Sequence, residues 1–234
     1  MKKYLVIYHD LLSDIQTHKY QSGAILPSNQ QLVMRYGVSR ETVRKAIQLL
    51  ADEGYIQTIR GKGSLVISTK RYLFPVSSIK SYREVVEENG LTSENRILKM
   101  ENHVLVPERL RTEDTKMYAQ LIVRERIVSG TPTILDYDYV NEAVAKDIPE
   151  AAAQDSLFHY LEQKKGLSID YAIKQLTVES ADYDDCQRLK IDQSIPIVVV
   201  RSETHLTDNR ILSYTESRHR ADKFSSVEFA RRHH

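Results

Sequence analysis

The 234-residue chain has one cysteine and no tryptophan. A single thiol, Cys186, excludes an intramolecular disulfide framework and is typical of a protein that folds in a reducing compartment. The acidic segment around it contains no histidine or other evident base. We therefore interpret Cys186 as a structural thiol rather than as a nucleophile.

Long apolar runs are also missing. No stretch approaches the roughly 20 residues that a membrane-spanning helix needs. Met1-Lys2-Lys3 is not followed by the apolar core and small-residue cleavage site of a secretory signal. We expect a cytoplasmic protein with no membrane partner. Nucleophile–base pairs and clusters of metal ligands at recognisable spacing are absent as well, so the sequence predicts no catalytic residue, no metal site and no cofactor.

Net charge is small but unevenly distributed along the chain. Residues 1–70 hold 10 Lys/Arg and 5 Asp/Glu, a net charge of +5, whereas the remaining 23 Lys/Arg and 27 Asp/Glu give −4. The length exceeds that of one typical domain. A basic first domain on an acidic body is typical of proteins in which one domain binds nucleic acid.

Residues 28–50 predict a helix-turn-helix. Ser28 is a good N-cap for a first helix, Gly37 permits the left-handed turn that ends it, and Ser39 caps a second helix. The second helix carries a stripe of apolar side chains at helical spacing: Val43, Ala46, Ile47 and Leu50. This spacing predicts that one face of the second helix is buried and the other is exposed.

The exposed face of the second helix is basic. Arg40, Arg44 and Gln48 fall four residues apart, opposite the apolar stripe, and Thr42 and Lys45 lie in the same turns. Arginine can bind guanine O6 and N7 through a bidentate fork, so these residue types suit a recognition helix in the major groove. We assign Lys45 to the same DNA-binding set.

A hairpin follows at about residues 55–67, with Arg60-Gly61-Lys62-Gly63 at its tip. Its glycines permit positive φ and let the backbone approach a phosphate or the minor-groove floor. Helix pairs of this kind occur inside helical enzymes, and Gly-Lys-Gly is a common turn. The order of cap, turn, basic helix and basic wing within about forty residues nevertheless favours DNA binding.

The pattern LPS…YGVSRETVRKAI…RGKG resembles the winged helix-turn-helix of GntR-type bacterial transcription regulators across residues 4–68. The resemblance implies that Arg40 and Arg44 contact bases. It implies phosphate or minor-groove contacts for a further set: Ser28, Ser39, Thr42, Arg60, Gly61, Lys62 and Gly63. At Gln30, where the family commonly has arginine, the sequence departs from the pattern, and Gln30 would donate a neutral hydrogen bond instead.

A linker at 71–78 precedes a second part, residues 79–234, in which strands and helices alternate. Strands are predicted at 97–106, 118–128, 133–140, 171–180, 197–206 and 211–220, and helices at 79–89, at 154–165 and around Cys186. The fold class is therefore α+β. We expect an antiparallel sheet with helices on one face, behind a DNA-binding domain at 1–70.

Two predicted strands carry charges on one face. On 121–128, Arg124 and Arg126 share a face with Ile122 and Val128, and on the returning strand Asp136 and Asp138 share a face with Ile134 and Val140. Arginine forks suit phosphate and carboxylates accept hydrogen bonds from sugar hydroxyls, so the four side chains would surround an anionic, hydroxyl-rich ligand. From periodicity alone, a row of cross-strand ion pairs on a solvated face is the better interpretation.

Three segments, VRERIVSGTPTILDYDYV, DSLFHYL and YTESRHRADKF, make residues 79–225 resemble the UTRA effector domain. That domain has a chorismate-lyase-like fold and marks the HutC subfamily of GntR regulators. In relatives that bind sugar phosphates, matching positions line the effector pocket: Arg124, Arg126, Asp136, Ser156, Phe158 and His219. Tyrosine is frequent where Phe158 and His219 stand, so those hydroxyl contacts would be lost or replaced. The resemblance adds weaker candidates: Ser81, Tyr82, Tyr171, Ser213 and Ser217. Lys174, on the predicted strand 171–180, would supply a further cation.

The ending YTESRHRADKFSSVEFARR, with SIDYAIKQLTVE upstream, is similar to the trehalose-operon branch of this family in Gram-positive bacteria. The similarity implies a repressor that trehalose 6-phosphate induces. We expect it to bind double-stranded, palindromic operator DNA as a homodimer. Two alternatives stay open: a HutC-type regulator of another small anionic metabolite, such as an amino-sugar phosphate, and a chorismate-lyase-like enzyme.

Overall fold

A computed structural model describes residues 2–67, 92–112 and 116–226 of the chain. These residues fall into two compact units, of which the first comprises 2–67 and the second the remainder. The predicted linker at 71–78 and the predicted helix at 79–89 lie outside the described residues. Within the described ranges, no helix has the length and apolar character needed to cross a membrane.

The first unit consists of three helices and a hairpin. Its elements, in chain order, are α1 (Lys3–Gln16), α2 (Asn29–Tyr36), α3 (Arg40–Asp52), β1 (Ile56–Ile59) and β2 (Gly63–Val66). One apolar core joins them, and it includes the whole predicted stripe of α3: Val43, Ala46, Ile47 and Leu50. The prediction of a helix-turn-helix followed by a wing is confirmed.

Local contacts define both ends of α2 and the start of α3. Ser28 and Gln31 form a capping box, in which the Ser28 N–H donates to the Gln31 side chain at 2.8 Å. Gly37 ends α2 with a φ of +60°, a backbone conformation that glycine adopts readily. The Ser39 hydroxyl then accepts the Thr42 N–H at 3.2 Å. These short-range contacts produce the tight turn that separates the two helices.

The second unit is built on a six-stranded antiparallel sheet with the order β3-β4-β5-β8-β7-β6. Its strands are β3 (Ser93–Leu105), β4 (Tyr118–Val128), β5 (Thr131–Asn141), β6 (Ile169–Glu179), β7 (Ile197–Leu206) and β8 (Ile211–Arg220). Its helices are α4 (Glu150–Asp155), α5 (Leu157–Gln163) and α6 (Tyr183–Leu189). Single 3₁₀ turns occupy Glu108–Leu110 and Ala221–Lys223. The α+β fold class is confirmed, and the bounds of β4, β7 and β8 agree with the prediction.

The helix predicted at 154–165 is confirmed as α5, Leu157–Gln163, but the prediction missed α4, which ends just before it. Ser156 has extended backbone angles, φ −148° and ψ 107°, so it ends α4. Its hydroxyl accepts the His159 N–H at 3.4 Å, so the same residue caps α5. Serine competes in this way for backbone hydrogen bonds that would otherwise continue a helix.

The expectation that the helices share one face of the sheet is also wrong. Leu161 of α5 packs in a cluster with Ile122, whereas Leu189 of α6 packs in another with Leu121. Neighbouring residues of a strand point to opposite faces, so α4 and α5 cover one face and α6 covers the other. We call the face that carries Ile122 and Arg124 the Arg124 face. Cys186 of α6 lies half-buried beside the Leu121 cluster.

Candidate DNA-reading helix and candidate effector site

Helix α3 turns its basic face to solvent. Arg40, Arg44 and Lys45 are exposed, while the opposite stripe is buried. Arg44 is already engaged, because its Nε and Nη2 each donate to the Glu41 carboxylate at 2.9 Å. The hydrogen bond from Arg44 lowers the pKa of Glu41, so the pair carries both charges at neutral pH. The sequence prediction missed Glu41, although a carboxylate three residues before an arginine on a helix is a recognised pairing signal.

The wing brings its predicted tip residues together at one end of the hairpin. Strand β2 begins at Gly63, which leaves Arg60, Gly61 and Lys62 as the exposed loop. Gly61 and Gly63 have φ values of +80° and +104°, and a Cβ on Gly63 would lie 3.2 Å from the Cγ2 of Ile25. Side chains are therefore disfavoured at both glycines, and the tip exposes backbone between two cations.

The remaining predicted DNA contacts lie at the starts of α2 and α3. Ser28 and Gln30 are exposed at the N-terminal end of α2. The Ser39 and Thr42 hydroxyls lie 2.9 Å apart at the start of α3. Helix N-termini present unpaired N–H groups that suit a phosphate. Contact between these residues and DNA stays a prediction.

Four charged side chains meet on the Arg124 face of the sheet. The ion pairs run diagonally between β4 and β5: Arg124 Nη2 lies 2.6 Å from Asp138 Oδ2, and Arg126 Nε bonds to Asp136 Oδ2. Each of the four residues is only 4–6% exposed. The interpretation of a solvated row of ion pairs is therefore wrong, because the pairs exist but are buried. Buried charges of this kind depend on their partners to offset the cost of losing water.

The charge cluster is buried because α4 lies over it. Arg124 Nη1 donates to the Ala153 carbonyl at 3.0 Å. The Asn95 side chain on β3 accepts from Arg126 Nη1 at 3.1 Å and donates to the Gln154 carbonyl at 2.9 Å. Carbonyls at the last turn of a helix lack intrahelical partners and suit such donors. The last turn of α4 is thus tied to the sheet by Arg124 and Asn95.

Two hydroxyls from β8 complete the cluster. Thr215 donates to Asp138 Oδ1 at 3.1 Å, and Ser217 hydrogen bonds to Asp136. Burial alone would raise the pKa of Asp136, but the charges of both arginines and the Ser217 hydrogen bond outweigh it and hold this pKa below its ordinary value. The cluster therefore contains two guanidinium ions and two carboxylates, and its net charge is zero.

His219 lies at one end of the cluster. It is buried on the Arg124 face of β8, opposite Ile134, and its ring meets that of Phe224 edge to face with centroids 5.0 Å apart. Burial lowers the pKa of His219 to about 4, so the imidazole is neutral at neutral pH. A neutral imidazole offers one donor and one acceptor. It can therefore form hydrogen bonds in place of the tyrosine hydroxyl that is frequent in the family.

Four of the other predicted effector residues share this side of the sheet. Ser156 is buried at the break between α4 and α5, and Phe158 is half-buried in the first turn of α5. Strand register places Ser213 on the Arg124 face of β8 and Lys174 on the same face of β6. Lys174 on β6 and Thr215 on β8 are in register across the sheet with β7 between them, and Asp138 is the register partner of Thr215 on β5.

Tyr171 is not brought to the cluster. It lies on the opposite face of the sheet, where its ring stacks on that of His205 with centroids 4.4 Å apart. Ser81 and Tyr82 lie outside the described residues. Their role in effector binding stays a prediction.

Sequence reasoning left two members out of the site, Thr215 and Asn95. Thr215 had a usable signal, because it is two residues from Ser213 and from Ser217, which are predicted site residues on the same strand. Asn95 had none, since its partners lie on strands and helices far along the chain. Its contact with Gln154, for example, spans 59 positions.

Comparison with known proteins identifies both units. The profile of bacterial regulatory proteins of the gntR family matches residues 3–66, and that of the UTRA domain matches residues 88–225. The HTH-type transcriptional regulator TreR of Bacillus subtilis (strain 168) is 37% identical over 236 residues, which cover 99% of this chain and 98% of that protein.

Two solved structures resemble the chain. The possible transcriptional regulator YydK from Bacillus subtilis aligns over 99% of this chain and 100% of its own with a TM-score of 0.80, and at 22% identity it supports the fold alone. The effector-binding domain of the B. subtilis trehalose repressor (TreR) aligns over 60% of this chain and 99% of its own, with 32% identity and a TM-score of 0.50. The chain belongs to the GntR family of bacterial regulatory proteins and carries a UTRA domain as its second unit.

Proposed function

We propose that this chain is a transcription repressor that binds operator DNA through α3 and the wing, and that trehalose 6-phosphate induces it by binding at the buried charge cluster. The observation that carries the proposal is the Arg124–Asp138 and Arg126–Asp136 cluster in a UTRA domain. Guanidinium groups suit the phosphate and carboxylates suit the glucose hydroxyls. The likeness to the effector domain of a trehalose repressor supports this sugar.

A titration calorimetry experiment on the full chain tests the ligand. We expect trehalose 6-phosphate to bind much more tightly than trehalose, because charge-assisted hydrogen bonds from guanidinium groups to a phosphate are among the strong polar contacts. Glucosamine 6-phosphate serves as the comparison for the amino-sugar alternative. Equal binding of trehalose and its phosphate, or no binding of either, would remove phosphate recognition from the proposal.

The proposal also separates a sensor from an enzyme. TreR of Bacillus subtilis, which is 37% identical to this chain, is a transcriptional regulator, and we propose that this chain likewise has no catalytic activity. A sensor returns its ligand unchanged. After prolonged incubation with the protein, trehalose 6-phosphate should therefore be recovered intact, and its consumption would favour the enzyme.

We further propose a cytoplasmic homodimer that forms along β6. The two edges of the sheet differ: β3 is charged and has two register shifts, features that protect an edge strand. The other edge, β6, keeps continuous register from Tyr171 to Glu179 and exposes Ile173, Leu176 and Val178 by 56%, 42% and 65%. Two β6 strands paired antiparallel about a two-fold axis would cover these side chains and give a self-complementary interface.

Analytical ultracentrifugation tests the dimer and its location. We expect the full chain to sediment as a dimer at micromolar concentration, because an operator with two half-sites is read by a two-fold protein. Leu176→Glu should dissociate the dimer. Leu105→Glu on the β3 edge is the matched control, since Leu105 is 43% exposed against 42% for Leu176. A monomeric wild type contradicts the dimer, and a dimer that survives Leu176→Glu contradicts the β6 interface.

A further inference from the structure

The guanidinium fork of Arg124 is already occupied by a carboxylate. Its Nε and Nη2 donate to the same oxygen, Oδ2 of Asp138, at 3.1 and 2.6 Å. Its Nη1 donates to the Ala153 carbonyl at 3.0 Å. A phosphate that approaches the fork side of Arg124 therefore meets Asp138 in the position that the phosphate itself would take.

Charge leads to the same conclusion. The cluster has two guanidinium ions and two carboxylates, so it offers an incoming anion no net attraction. A sugar phosphate next to two buried carboxylates would be repelled, because like charges in low-dielectric surroundings destabilise each other strongly. An anion that uses the fork of Arg124 therefore requires Asp138 to leave it.

We propose that Asp138 is an internal anion of the effector site: it occupies Arg124 while the site holds no effector, and the phosphate of the effector displaces it. This inference rests on the proposed function, because it takes the cluster to be the effector site. Thr215 holds the carboxylate in place through Oδ1. Once displaced from Arg124 and Thr215, Asp138 becomes an acceptor for a sugar hydroxyl.

Displacement would make the site selective for phosphate monoesters. The replacing group must bring at least the charge of a carboxylate and oxygens that fit the same fork, which a neutral sugar lacks. The exchange would also reach α4, because the guanidinium that changes partner is the one that holds the Ala153 carbonyl. Asp138 is thus a specificity-determining residue, and the last turn of α4 is the first backbone that responds.

Inorganic phosphate is the probe, titrated into the full chain by calorimetry. Asp138→Asn keeps a side-chain carbonyl that can accept from Arg124 and removes the internal charge. We expect this variant to bind phosphate roughly tenfold or more tightly than the wild type does, because the ligand no longer competes with a carboxylate.

A second buried ion pair supplies the matched control. Arg218 Nη2 lies 2.6 Å from Asp185 Oδ2, the same separation as in the Arg124–Asp138 pair, and Asp185 is fully buried on the opposite face of the sheet. Asp185→Asn should leave phosphate affinity unchanged. An equal gain in Asp185→Asn and Asp138→Asn would overturn the proposal, because it would reflect overall charge alone.

Thr215→Val tests whether phosphate binds more tightly because Asp138 can leave Arg124, rather than because a negative charge has been removed. It removes the hydrogen bond that holds Asp138 but leaves every charge of the cluster in place, so we expect a smaller gain in phosphate affinity, of about fivefold. No gain in this variant would overturn displacement, even if Asp138→Asn binds phosphate tightly. The Thr215→Val result also decides the question if Asp138→Asn does not fold.

Failure of the proposed function would look different. If the wild type does not bind trehalose 6-phosphate, that effector is wrong, whatever the variants do with inorganic phosphate. If the wild type binds trehalose 6-phosphate but neither variant gains affinity for phosphate, the effector stands and the internal anion is wrong.

Discussion

Replacing Arg40 and Arg44 together with alanine is expected to abolish selective operator binding and to leave the fold unchanged. Both side chains are exposed on α3 and contribute nothing to its buried stripe. Arg44→Ala alone should cost about 1–3 kcal/mol of binding free energy and relax the base preference at one position of each half-site. Fluorescence anisotropy with operator and scrambled duplexes measures both effects.

The control variant lacks two other cations of the first unit, neither of which lies on α3. Lys19 and Arg35 both pair with Asp14, so Lys19→Ala/Arg35→Ala has the same change in net charge. We expect it to weaken binding to operator and scrambled duplexes alike, since a lost cation reduces phosphate attraction without reading sequence. A folded Arg40→Ala/Arg44→Ala variant that binds the operator as tightly as the wild type would show that α3 is not the recognition helix.

Breaking the Arg124–Asp138 ion pair is expected to cost about 3–5 kcal/mol of unfolding free energy, because it leaves an uncompensated buried charge. We expect this loss of unfolding free energy in Arg124→Met, because Asp138 there loses its guanidinium partner. Arg124→Met/Asp138→Leu removes both charges and should recover most of the loss. Differential scanning calorimetry of the full chain compares the three proteins. Equal stability of Arg124→Met and the wild type would contradict the pairing.

The double variant is also the right protein for testing induction. We expect Arg124→Met/Asp138→Leu to bind the operator and to lose the response to trehalose 6-phosphate, since a ligand shifts an equilibrium only through its differential affinity for two states. Arg218→Met/Asp185→Leu, the same change on the opposite face, should keep the response. Operator release from the first variant by trehalose 6-phosphate would contradict the role of Arg124.

The structure explains why alanine at Arg124 and Arg126 alone would be a poor test. That change leaves Asp136 and Asp138 buried without their guanidinium partners, so a lost response would report damage to the fold. Removal of a whole pair avoids the difficulty.

Much of the fold was predictable from the sequence because its signals are local. Ser28 and Gly37 set both ends of α2, and Ser39 sets the start of α3, through partners no more than four residues away. The turns at Gly130 and Asn209, each with a positive φ, likewise mark the end of β4 and the connection between β7 and β8. Alternation along β4 and β5 correctly placed Arg124 and Asp138 on one face.

What covers that face was not predictable. Period-two alternation says which way a side chain points but not whether a helix lies above it. The burial of Arg124 depends on the Ala153 carbonyl, 29 positions away. The break at Ser156 depends on a choice between continuing α4 and capping α5, which the packing of both helices decides. The error about a solvated row of ion pairs has this origin.

The ion pair between Glu41 and Arg44 bears on how the protein would search a chromosome. In the proposed complex, Arg44 would approach DNA with its charge already paired with Glu41, so it would add little to the counterion release that holds a protein at random sequence. Guanine offers two acceptors, O6 and N7, that can replace the two oxygens of Glu41. With α3 in the major groove, the other cations of the first unit would hold the protein on nonspecific DNA while it slides. It would pause where Arg44 can exchange the Glu41 carboxylate for the O6 and N7 of a guanine.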